Sequence, residues 1–161
     1  MGAEMISVGR RRLGAALFGL LSGAGVAAAG SAEDETAVKH LLMQSFDRPD
    51  APLAVDPIVL DGDIAIADWA QGEQGGRALL RRKDGKWEIS LCAGDALKQS
   101  AALEKLGLAR PRAQALAASL AAAERRLSPA LLERMSRFDG VVAVDSAGGH
   151  TPLDPHHRPI P

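Results

Sequence analysis

The residues best able to do chemistry crowd the end of the chain. There HTPLDPHHRPIP sets His150, His156 and His157 around Asp154. Imidazole suits Cu, Zn and Ni, and a pliant tail can bring three nitrogens and a carboxylate around one ion. Ordering such a tail has a cost, and the adjacent His156 and His157 cannot easily share one metal without local strain. The plain alternative is a polar, proline-rich end with no role. In HLLM, His40 and Met43 fall on neighbouring turns of one helical face, a soft pair suited to Cu(I). Its alternative is a solvated His40 beside a Met43 packed in the core. Cys92 is the single thiol. It is either buried and inert or a soft metal ligand, and its place beside Ala93-Gly94 at a strand end favours burial.

Acid–base chemistry has one candidate, DWAQGEQGG (68–76), where Asp68 and Glu73 offer paired carboxylates. No histidine is near in sequence, and a solvated loop is the better reading. GxSxG, HExxH and P-loop motifs do not occur, which lowers the case for an enzyme.

These side chains need a compartment and a scaffold. Arg10, Arg11 and Arg12 precede an uncharged run, Leu13 to Ala29, with small residues at Ala27, Ala29 and Ala32. Basic, apolar and small-residue segments in that order read as a secretory signal peptide over residues 1–32, cut after Ala29 or Ala32. The run falls short of the ~20 residues of a spanning helix. Paired arginines leave twin-arginine export open beside the general pathway, with Gly14 where an apolar residue is usual. The expected location is periplasmic. Without residues 1–32, which hold three arginines and Glu4, the 19 basic and 20 acidic residues become 16 and 19, a net charge of −3. That balance argues against nucleic acid. With no second cysteine after the leader, stability has to come from packing.

The scaffold is expected to be one α+β domain over residues 33–145. Val38, Leu41, Leu42 and Phe46 recur at helical spacing from Glu33 to Phe46, and RPDAP ends the helix. Four strands follow. Leu53 to Leu60 has Pro57 marking an edge or a bulge, Asp61-Gly62 turns into Ile64–Trp69, and a longer QGEQGG loop leads to Arg77–Arg82. Asp84-Gly85 then makes a hairpin into a strand with Trp87, Ile89 and Leu91 on one face and Glu88, Ser90 and Cys92 on the other. Residues 96–138 read as Ala/Leu-rich helices: Ala96–Leu106, Pro111–Arg126 and one opened by Ser128-Pro129. Val141–Asp145 is a short extended piece able to pair with a sheet edge. Residues 146–161 are expected to be a mobile His/Pro-rich tail. An N-terminal helix packed on a four-stranded antiparallel meander is the cystatin-like or NTF2-like plan, and that plan carries no activity with it.

The stretch Val38–Leu97 resembles the small exported bacterial proteins named copper uptake system-associated proteins. The resemblance rests on HLLM, DRPDAPLAVDPIV, WAQGEQGGRALLRR and LCAGDAL, and continues through the Ala/Leu-rich helices, FDGVV and the histidine-bearing tail. It implies a periplasmic accessory of copper acquisition, with copper as ligand and components of an uptake system as partners. The positions it can carry are His40, Met43, Cys92, His150, His156 and His157. Closely spaced methionines, usual in periplasmic Cu(I) chaperones, are missing: after the leader only Met43 and Met135 remain. Two readings therefore stand, a copper-binding or copper-handing accessory and a metal-free module that binds a protein of the uptake system.

Overall fold

Tight turns fold residues 53–93 into a meander. The structure, a computed structural model, describes residues 24–144; most of the expected signal peptide and the 146–161 tail lie outside them. Helix α1 (Ala24–Phe46) leads into strands β1 (Leu53–Asp61), β2 (Ile64–Gln71), β3 (Gln74–Lys83) and β4 (Lys86–Ala93). A 3-10 turn (Asp95–Lys98) and helices α2 (Ser100–Lys105), α3 (Arg110–Glu124) and α4 (Pro129–Ser136) follow, then β5 (Val141–Ala143). The sheet is antiparallel in the order β1-β2-β3-β4-β5. The expected α+β meander is present, with five strands instead of four because Val141–Ala143 pairs with Leu91–Ala93.

The β3–β4 hairpin closes on Asp84 and Gly85 at φ of 50° and 78°, the left-handed pair that a type I′ turn requires. QGEQGG is shorter as a loop than its composition suggests. Gln71 pairs with Gln74, so only Gly72 and Glu73 turn, and Gly75 and Gly76 are buried inside β3. Close packing explains them: a Cβ on Gly76 would stand 2.9 Å from the Trp69 ring and 3.0 Å from that of Phe138. Trp69 and Phe138 meet edge to face, their centroids 5.8 Å apart.

Both faces of the sheet are covered. On the first, α1 lays Val38, Leu42 and Phe46 over Leu53, Val55, Ala67, Trp69, Leu80, Ile89 and Cys92. Burying each large apolar side chain contributes roughly 1.5–3 kcal/mol. On the second, α2 and α3 lay Leu103, Leu116 and Leu120 over Val59, Ile64, Ile66, Leu79 and Leu91. Central β2 is consequently buried along its whole length. The expected Ala96–Leu106 helix is broken at Gln99, which is extended (φ −101°, ψ 119°) between the 3-10 turn and α2. Ser128 caps α4 as its position suggests, its hydroxyl accepting from the Leu131 N–H at 3.3 Å.

Two bulges set which residue faces which layer. In β1 the pairing jumps from Val55 opposite Trp69 to Ile58 opposite Ala67, so Asp56 and Pro57 absorb an irregularity on an edge strand. In β4, Leu91 pairs with Leu79 and Ile89 with Leu80, leaving Ser90 as the extra residue. That corrects the simple alternation expected of this strand. Trp87 and Ile89 face α1, Leu91 faces α2 and α3, and Cys92 joins Ile89 on the α1 side.

Candidate functional site

Asp68 interrupts the apolar run of β2, and Arg77 opens that of β3. The register sets them directly opposite each other on the second face, and neither side chain has any exposure. They do not bond directly: Arg77 Nε stands 3.7 Å from Asp68 Oδ1. The guanidinium donates instead to Glu124 Oε1 at 2.7 Å, from the last residue of α3, and to Asp95 Oδ1 at 3.1 Å, from the 3-10 turn. Lys98 reaches the other Glu124 oxygen at 3.0 Å. The Ser136 hydroxyl of α4 donates to Asp95 Oδ1 at 2.8 Å. One cluster thus ties β2, β3, the 3-10 turn, α3 and α4 together.

Its charges do not balance when every acid is ionised, because Arg77 and Lys98 face Asp68, Asp95 and Glu124. The odd proton settles on Asp68. Burial pushes that carboxyl up to about 7, Arg77 opposes the rise, and the neighbouring Glu124 carboxylate adds to it. Neither Asp68 oxygen has a hydrogen-bond partner while both acids are ionised. A proton on Asp68 supplies one, since its O–H then has Glu124 as acceptor.

Asp68 is therefore no member of a solvated loop. Glu73, its expected companion, sits exposed in the β2–β3 turn, and the acid that accompanies Asp68 is Glu124. Sequence reasoning missed Glu124, Arg77, Asp95 and Lys98. The available signal was the lone ionisable residue of β2, the arginine that precedes the apolar part of β3 and the acid at the end of an alanine-rich helix.

The metal candidates are dispersed. His40 is exposed on α1, while Met43 is half-buried and packs on the first core. Cys92 is inside that core, against a narrow apolar crevice shared with Leu42, Phe46, Leu53 and Trp69. Burial pushes its thiol up to about 12. His150, His156 and His157 lie outside the described residues. Among the described residues no group of three or more His, Cys, Asp or Glu side chains is placed to hold a metal ion, and no helix is long and apolar enough to cross a membrane. No family model, no curated protein and no solved structure matches the chain.

Proposed function

We propose that the chain is a periplasmic accessory protein of copper uptake, not an enzyme, and that imidazole, not thiolate, is its copper-binding group. The disposition of the donors carries this reading. Cys92 is enclosed with its thiol held at about 12, so the fold offers copper no thiolate. His40 is open to solvent on α1, and three further imidazoles, His150, His156 and His157, follow the last strand in sequence. Cu(II) accepts such ligands. The resemblance of Val38–Leu97 to copper uptake system-associated proteins supplies the biological setting, and the leader-like residues 1–32 support export.

Competition titration with Cu(II), and with Cu(I) under reduction, tests it on the mature chain and on the same chain ending at Gly149. One copper bound at sub-micromolar strength, the regime of about −8 kcal/mol, and lost on truncation assigns the site to the tail. Binding kept after truncation moves it to His40, Met43 or Cys92. If neither chain outcompetes a weak chelator, copper binding is overturned. A metal-free module docking on a partner protein is then the remaining reading. It is favoured by the short outer strand β5, whose Val141 is 38% exposed at the edge of the sheet.

A further inference from the structure

We propose that a proton held by the enclosed Asp68 carboxyl and turned toward Glu124 acts as a pH-operated latch holding the C-terminal helices on the sheet. The latch is closed while Asp68 is neutral and loosens when it ionises.

Geometry makes Asp68 the pivot. Its carboxyl is wholly enclosed, and the cation opposite it in register gives its hydrogen bonds to Glu124 and Asp95, with Nη2 unpartnered and Nε 3.7 Å from Asp68 Oδ1. Arg77 comes from β3, Glu124 from α3, and Asp95 and Lys98 from the 3-10 turn. From α4 only Ser136 joins, through Asp95; Glu133 and Arg137 pair with each other at 2.8 Å on its exposed side, and Arg134 lies over Gly75. On α2, Glu104 pairs outward with Arg110. Asp56, in the β1 bulge opposite Asp68, is exposed.

With the proton in place, the Asp68 O–H bonds to Glu124, which also receives Arg77 and Lys98. Remove it, and two buried carboxylates meet with a hydrogen bond lost between them. Burying an uncompensated charge is costly. The chain can relieve that cost by swinging out the group at the end of an element. Glu124 is that group: it is the last residue of α3, followed by Leu127, whose N–H donates to the Glu124 carbonyl at 2.9 Å. Asp68 and Arg77 sit in paired central strands that cannot move without breaking the sheet. Loosening should therefore be confined to the end of α3, the α3–α4 link and α4.

Amide hydrogen exchange, corrected for intrinsic rates, reads this directly. Between pH 6 and 8 the protection of the last turn of α3 and of Leu127 should fall about tenfold or more, while Ile66 and Leu79 stay unchanged. In Asp68→Asn, which is neutral at every pH and still has an N–H for Glu124, the fall should vanish. A carbon-detected NMR titration of the Asp68 carboxyl in the parent chain needs no variant, so it decides even where Asp68→Asn does not fold. A midpoint near 7, with the drop in protection confined to the parent, supports the latch. A midpoint below 5 overturns it, as does protection that stays flat in the parent or falls equally in Asp68→Asn.

Discussion

Asp68 and Arg77 are exact partners across β2 and β3, yet the guanidinium bonds to neither Asp68 oxygen and reaches past it to Glu124 and Asp95. A strand pair that looks like a simple ion pair is the floor of a wider network. Its ceiling comes from chain distant in sequence.

Replacing Arg77 by methionine keeps the bulk and removes the central cation. Asp68, Asp95 and Glu124 then face only Lys98. Breaking a buried charged cluster at one member costs about 3–5 kcal/mol, and urea unfolding followed by circular dichroism should show a loss of that order at pH 7. A loss under 1 kcal/mol would mean that water reaches the cluster freely.

The pH dependence of stability has a definite sign. Asp68 ionises near its ordinary 3.8 in the unfolded chain and at about 7 in the fold. Between those values the folded chain binds more protons than the unfolded one, so this group's contribution falls as pH rises and levels off above 7. Parent and Asp68→Asn should agree near pH 4 and diverge toward pH 8, where the variant is more stable by about 4 kcal/mol. Asp63 and Glu133 are both held low by their arginines and act in the opposite sense at acid pH. Because the variant keeps both, the difference between the two unfolding curves isolates Asp68.

Glycine is required for space at two points. A Cβ on Gly76 would meet the Trp69 ring, and one on Gly94 would lie 2.5 Å from the Phe138 carbonyl oxygen. Backbone yields less readily than a ring, so Gly94→Ala should be the more damaging change. Both fall in the overpacking range of about 1–3 kcal/mol or above it. Thermal melts rank them, and Trp69 fluorescence should shift for Gly76→Ala.

Cys92 should resist thiol reagents in the folded chain. At pH 8 a group held near 12 and fully enclosed presents almost no thiolate. Ellman's reagent should label it only after denaturant is added. Prompt labelling of native protein would place the thiol within reach of solvent and restore it as a metal ligand.

Much of the meander was legible because its turns are written in the chain. Asp84-Gly85 declares a left-handed pair, Asp61-Gly62 marks the β1–β2 turn, and Pro57 marks an edge or a bulge. The Ser90 bulge was not legible. It depends on which of two residues finds a partner on β3, and no local propensity records that. Gly75 and Gly76 misled for a related reason: glycine that makes room for Trp69 and Phe138 looks, in one dimension, like glycine that makes a loop. The ionic cluster lay hidden deepest. Asp68 and Glu124 are brought together only when α3 folds back over the sheet, and nothing around either residue names the other. Among the metal candidates, burial of Cys92 followed from its place at a strand end, whereas the tail histidines lie beyond the described residues.

The three residues of β5, followed by the Val144 N–H donating to the Ser90 carbonyl at 3.1 Å, also have a mechanical meaning. Val144 both continues this outer seam and packs against the first core. Load on Val144 would break its bond at the Ser90 bulge and lift its side chain from the first core, then open the seam toward Ala93, rung by rung. The outermost strand is therefore the part of the sheet expected to yield first, held by three paired residues where β1 to β4 are held by seven or more.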